Sequence, residues 1–155
     1  MRIIGIDPGT ATTGFSIIET DKSGFKLIDY GCIETAAHTP DAQRLQQIAE
    51  DIEALIKKYR PHQASIEKLY FQNNAKTAMQ VSQARGVILQ KLIEKGIESA
   101  EYTPLQIKSA VCGYGKADKK MVQKMVQIIF NLNHIPKPDD AADAIAAALC
   151  LAHSL

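Results

Sequence analysis

The sequence predicts an α/β domain with a five-stranded mixed sheet flanked by helices. Short apolar runs separated by tight turns fill the first third of the chain. From Asp41 onward apolar residues recur at three- and four-residue steps, the period of an amphipathic helix. Two further short runs then sit between helical stretches, and a strand reached through a helix returns parallel to its neighbour. Hairpins followed by strand–helix alternation give both pairing senses in one sheet.

Met1–Asp7 reads as a buried strand, apolar at Ile3, Ile4 and Ile6, and it ends at the breaker pair Pro8-Gly9. Thr13–Thr20 carries Phe15, Ile17 and Ile18 as a second strand, and Asp21-Lys22-Ser23-Gly24 turns the chain into a third, Phe25–Thr35. Leu45, Ile48, Ile52, Leu55 and Tyr59 mark a helix over Asp41–Tyr59 that stops before Pro61. Gln63–Glu67 is a short fourth strand. After the polar Gln72-Asn73-Asn74 comes a helix over Ala75–Lys95, closed by Gly96. Ile97–Thr103 is the fifth strand, and Pro104 suits the first turn of a short helix. Gly113-Tyr114-Gly115 breaks the chain before a helix over Asp118–Asn131. The connector Pro136-Lys137-Pro138 leads to a last helix, Asp140–Ala152, so rich in alanine and other apolar residues that it must be mostly buried.

At 155 residues, 46% hydrophobic and 23% charged, the chain reads as one globular domain over 1–155. That composition excludes a disordered, collagenous or rod-like protein. Neither the start of the chain nor its alanine-rich tail offers a signal-peptide core or a membrane span. The three cysteines, Cys32, Cys112 and Cys150, are odd in number and far apart, which fits a reducing cytoplasm better than a disulfide framework. Charge is unevenly spread: residues 104–124 hold five lysines against Asp118 alone, while 125–155 hold Lys137 against Asp139, Asp140 and Asp143. A basic segment followed by an acidic one suits a polyanion held beside a metal site, although a solvated lysine face reads the same way.

Four carboxylates stand at the ends of apolar elements. Asp7 closes the first strand and Glu67 the fourth; if those strands are neighbours, the two acids lie roughly 5 Å apart. Asp140 and Asp143, three apart in a helix, share a face. Carboxylates that close repel unless a cation joins them, and hard oxygen ligands suit Mg²⁺ or Mn²⁺. Each acid also has a plain explanation. Asp before Pro-Gly is a common turn residue, a strand-terminal Glu is commonly solvated, and acids in a first turn complement the helix dipole. Only their coincidence points to metal. No zinc spacing, P-loop or nucleophile elbow accompanies them.

The segment Gly5-Ile6-Asp7-Pro8-Gly9-Thr10-x-x-Thr13-Gly14 resembles the first motif of the RuvC family of Holliday junction resolvases. The resemblance continues through Ile66-Glu67-x-x-Tyr70 with Asn74, Gln83-Ala84-Arg85-Gly86, Gly113-x-Gly115-x-Ala117-x-Lys119 and Asp140-Ala141-Ala142-Asp143-Ala144, in the family's order and spacing. It implies a ribonuclease-H-like fold and a homodimer that cuts four-way DNA junctions with Mg²⁺, two ions per site, Mn²⁺ being a substitute. Carried over by position, Asp7, Glu67, Asp140 and Asp143 are the catalytic and metal-binding acids. Lys108 and Lys119 fall on DNA-contacting lysines, with Lys116 and Lys120 as further phosphate neutralisers. Tyr70 stands where relatives often have Phe and would stack on a junction base, and Phe71 beside it is the other candidate. Met79, Ile88 and Leu92 on the Ala75–Lys95 helix are expected to face the symmetry mate, and a branch-migration complex is an expected partner. Two other readings stay open at this point: a non-catalytic branched-DNA-binding module, and a nucleotide-binding domain of the actin, chaperone and sugar-kinase superfamily, which shares the Asp-x-Gly-Thr start.

Overall fold

The computed structural model describes residues 1–22, 24–68 and 75–155. Its elements follow the order β1 (Arg2–Asp7), β2 (Thr12–Asp21), β3 (Gly24–Glu34), α1 (Asp41–Tyr59), β4 (Gln63–Glu67), α2 (Ala75–Glu94), β5 (Glu98–Tyr102), α3 (Pro104–Cys112), α4 (Lys119–Ile129) and α5 (Asp139–Ala152). The strands form one sheet in the order β3-β2-β1-β4-β5. The first three run as an antiparallel meander, while β4 and β5 lie parallel to β1. The mixed sheet expected from the sequence is present, and β1, apolar on both faces, is its centre.

Strand alternation sorts the core into two layers. Ile4, Ile6, Ile17, Ala64 and Ile66 pack under α1 and α2 with Ile48, Ile52, Ala84, Ile88 and Leu92. Ile3 and Ile18 face the other way, toward α3, α4 and α5. The last helix is buried from Ala144 to Ala152, as its composition requires. Local signals explain the short helices. Thr103 and Gln106 form a reciprocal capping box before Pro104, and Gly113 closes α3 with φ of 71°. Asp118 caps α4 by accepting from the Met121 amide at 2.7 Å.

One expectation is corrected here. Ile88 and Leu92 are 0% and 1% exposed within a single chain, so they fill the core under α2 and cannot face a symmetry mate. A twenty-residue helix shows two apolar bands, and hydrophobicity alone does not say which of them meets its own sheet. Met79, by contrast, is 71% exposed, as is Ile93. No helix among the described residues is long and apolar enough to cross a membrane.

Candidate active site

The site is built by an unusually close approach of α5 to the sheet. On the α5 side of β1, side chains alternate as Ile3, Gly5 and Asp7. Gly5 is in register with Ser16 of β2 and Ser65 of β4, so a row of small residues crosses the sheet centre. A Cβ on Gly5 would stand 2.1 Å from the Ala144 carbonyl oxygen, and one on Gly14 would stand 2.0 Å from that of Asp140. Two buried hydroxyls fix the helix along this row. Ser16 donates to the Ala144 carbonyl at 2.9 Å and Ser65 to that of Ala147 at 2.5 Å. Alanines at 144, 147 and 148 leave the helix backbone free to settle there.

The next row along the strands holds the acids. Asp7 pairs with Gly14, and Glu67 follows the Ile6–Ile66 pair on the neighbouring parallel strand, which sets the two carboxylates on one face about 4.8 Å apart at the backbone. The first turn of α5 lies over Gly14, and so delivers Asp140 and Asp143 to the same end of the sheet. All four expected acids are thus brought together. The loop after Asp7 is tied down as well: Thr13 donates to the Gly9 carbonyl at 2.6 Å, Thr35 to that of Thr10 at 2.7 Å, and Thr10 to that of Gln80 at 2.8 Å.

Electrostatics carry the mark of crowded anions. Burial, and then the charges of Glu67, Asp143 and Asp140, push Asp7 well above the usual carboxylate range. Burial and Asp143 raise Glu67 to about 7, against the pull of Lys108 and Lys119. Asp143 is raised chiefly by burial, although Lys119 opposes it. Lys119, at the start of α4, reaches Asp143 at 2.9 Å and Asp139 at 3.6 Å. Burial draws its ammonium down, but the bond to Asp143 and the surrounding acids outweigh this and raise it. Lys137 pairs with Asp139 at 2.8 Å and holds that carboxyl low.

Glu67, Lys108, Lys119 and Asp143 line a cleft of about 240 Å³ floored by Ile107, Val122 and Ala146. Lys116 and Lys120 are exposed, on the loop before α4 and in its first turn, and do not line this cleft. Tyr70 and Phe71 lie outside the described residues. Sequence reasoning missed Asp139 as a second partner of Lys119, and it missed the Gly5–Ser16–Ser65 row. The available signal for that row was small residues alternating with isoleucine in strands, opposite an alanine-rich helix.

With every acid ionised, as a bound cation would favour, four carboxylates stand against the two ammonium groups of Lys108 and Lys119. Among the described residues no three acidic, histidine or cysteine side chains are already drawn close enough to hold a metal ion; the positive charge among the acids is that of Lys119. The donor set nevertheless fits a hard divalent cation. It is all oxygen, it converges at one end of the sheet, and burial together with the neighbouring acids raises the pKa values of Asp7, Glu67 and Asp143.

A pH dependence follows. Between about 4.5 and about 7 the unfolded chain releases the Glu67 proton while the folded chain keeps it. The folded state then binds more protons, so Glu67 contributes a stability that falls as pH rises through this window. In EDTA, the melting temperature of the parent relative to Glu67→Gln should therefore decline from pH 4.5 to 7, by up to about 3 kcal/mol in stability. A pH-independent difference would contradict the assigned environment.

The model of the family described as crossover junction endodeoxyribonuclease RuvC matches residues 3–151. The crossover junction endodeoxyribonuclease RuvC of Desulfitobacterium hafniense is 50% identical over 155 residues, covering 100% of this chain and 94% of the relative. Among solved structures, Thermus thermophilus RuvC superposes with a TM-score of 0.91 at 30% identity, covering 99% of this chain and 94% of that one. The same protein in complex with a Holliday junction substrate gives 0.89 at 27% identity, with the same coverage. The sheet order and the Asp7–Glu67 register thus sit in a ribonuclease-H-like fold.

Proposed function

Because the chain belongs to the RuvC family of crossover junction endodeoxyribonucleases, we propose that it resolves four-way DNA junctions by paired, symmetric, metal-dependent cuts during recombination and repair. The observation that carries this reading is the convergence of Asp7, Glu67, Asp140 and Asp143 beside the Lys108–Lys119 cleft. The family reading sets aside both the nucleotide-binding domain and the non-catalytic module, since all four acids are present and gathered.

The family uses divalent metal; Mg²⁺, two ions per site, is the finer expectation, with Mn²⁺ as a substitute. Such cations would stabilise charge on the phosphate under attack and supply hydroxide at neutral pH. Asp7 would be the shared ligand, a reading supported by its position on the central strand between Gly14 and Glu67. Glu67 and Asp140 flank it, and Asp143 either binds directly or orients the attacking water. Lys108 and Lys119 neutralise backbone phosphates in the cleft, with Lys116 and Lys120 extending the contact outward, and these contacts position DNA without reading its sequence. Tyr70, or Phe71 beside it, stacks on a base exposed at the junction centre. The whole chain, 1–155, acts as one catalytic domain in the cytoplasm, alongside a branch-migration complex.

Two cuts of like polarity need two related sites, which a two-fold dimer provides. With Ile88 and Leu92 committed to the core, the face left for the mate is the exposed α2 stripe Met79, Ser82, Gln83, Gly86, Gln90 and Ile93. Nothing lies within 4 Å of a Cβ built on Gly86, so a second helix can approach there. Met79→Lys with Ile93→Lys should give a folded monomer in sedimentation that has lost paired cutting. A double variant that remains dimeric would move the interface elsewhere.

The test of the function is direct. A labelled four-way junction and a linear duplex of the same arm sequence are incubated with the protein in Mg²⁺ or in EDTA. Cleavage of the junction in Mg²⁺ alone is expected. Cutting in EDTA, or equal cutting of the duplex, would overturn the reading.

A further inference from the structure

Apart from the lysine cleft, a second groove reaches the acids at Asp140. Gly9, Thr10, Ala11, Thr12, Arg44, Thr77, Gln80, Val81 and Asp140 line it. It shares no residue with the cleft that holds Glu67, Lys108, Lys119 and Asp143, so the acids are divided: Asp140 lines this groove, and Glu67 and Asp143 line the cleft. Its cation is Arg44, in the first turns of α1. The Arg44 Nε donates to the Thr35 hydroxyl at 2.7 Å, and that hydroxyl donates in turn to the Thr10 carbonyl at 2.7 Å. The guanidinium is therefore held against the loop that follows Asp7.

A guanidinium has five N–H donors, and among the described residues this one spends a single donor, on Thr35. Among the described residues no carboxylate stands within 4.0 Å of it as an ion-pair partner; Asp41, one turn earlier, takes its hydrogen bonds from Gln80 instead. The result is a partly buried, pre-oriented fork with no ion-pair partner among the described residues, on a groove lined by Thr10, Thr12, Thr77, Gln80 and the carboxylate-bearing Asp140. A fork of that kind matches two oxygens of one phosphate, and its orientation is already fixed before the ligand arrives.

We propose that Arg44 anchors a backbone phosphate of the DNA strand as it leaves the catalytic acids, opposite the phosphates held by Lys108 and Lys119. This inference rests on the junction-cleaving reading above. With cations on both sides, the strand is gripped across the acids rather than from one flank, which fixes which phosphate lies over Asp7.

The experiment measures equilibrium binding of a four-way junction in EDTA, where no cutting occurs, across a range of salt. Parent, Arg44→Gln, Arg44→Lys and Gln80→Glu are compared, with melting temperatures alongside. Arg44→Gln should bind about five- to twenty-fold more weakly and reduce the salt slope by about one counterion. Arg44→Lys should recover the slope but not the full affinity, because the charge returns without the fork. Gln80→Glu places a carboxylate in the same groove while keeping Arg44, and should lower the slope in the same way by answering the charge internally; this keeps the test decisive if Arg44→Gln does not fold. A parental salt slope in Arg44→Gln, or in Gln80→Glu where the first variant is unfolded, would overturn the phosphate site and leave Arg44 as a tie for the Thr35–Thr10 loop. A parent that neither binds nor cuts junctions would instead overturn the enzymatic reading, and this site with it.

Discussion

Asp7→Asn should cripple junction cleavage, with a loss of about 10³-fold, while the protein stays folded and still binds the junction. Removing one preorganised electrostatic group from a transition state costs on the order of 10²–10³, and Asp7 is the acid that faces all three of the others. Asparagine has almost the same shape and can make the same local turn hydrogen bonds, so a residue that only shaped the Pro8-Gly9 turn would tolerate the change. Stability should move the opposite way from activity. Burial and three like charges raise the Asp7 pKa, so at neutral pH its ionised form costs folding energy that asparagine avoids. The melting temperature in EDTA should hold or rise, and metal-free junction binding should hold or tighten, because one charge repelling phosphate is gone. Near-parental cleavage by a folded Asp7→Asn would remove Asp7 from the chemistry.

Gly14→Ala should lose both stability and activity. The added Cβ would sit 2.0 Å from the Asp140 carbonyl oxygen and 2.4 Å from its carbon. Both are backbone atoms of a helix that Ser16 and Ser65 hold in place, so no flexible side chain can yield. Overpacking of this kind costs about 2–3 kcal/mol, or roughly 5–10 °C in melting temperature for a chain of this length. The helix must lift where it presents Asp140. Displacing a catalytic group by about 1 Å can cost 10²-fold in rate, so cleavage should fall by at least that much even well below the melting temperature. A stable, active Gly14→Ala would mean that the approach of α5 to the sheet is not what positions Asp140.

Period and punctuation made some elements fully legible. The helix at Asp41–Tyr59 and the strand at Gln63–Glu67 have the bounds read from sequence, because Pro61 and the change of apolar period are local signals. The four acids stand out in the sequence because each sits at an end of an element whose type was clear, Asp7 and Glu67 closing strands and Asp140 and Asp143 opening a helix, and the β1–β4 pairing follows from one crossover helix. What sequence could not supply depends on tertiary contact. Ile88 and Met79 are alike as apolar helix residues, and only the sheet beneath α2 makes one core and the other surface. Lys119 and Asp143 are 24 residues apart, and nothing in either helix alone announces their pairing. Ser16 and Ser65 read as interruptions of apolar strands until α5 places a carbonyl above each. Arg44 reads as an ordinary solvated helix residue until Thr35 is seen to hold it.

Manganese-soaked crystals examined by anomalous diffraction test the metal centre most directly. Anomalous peaks are expected within bonding distance of Asp7, shared with Glu67 or Asp140, and the Lys119 ammonium is expected to have left Asp143, which it touches at 2.9 Å here. Manganese bound elsewhere, with Asp7 uncoordinated and the Lys119–Asp143 pair intact, would contradict the assignment of these four carboxylates as the centre that cuts DNA.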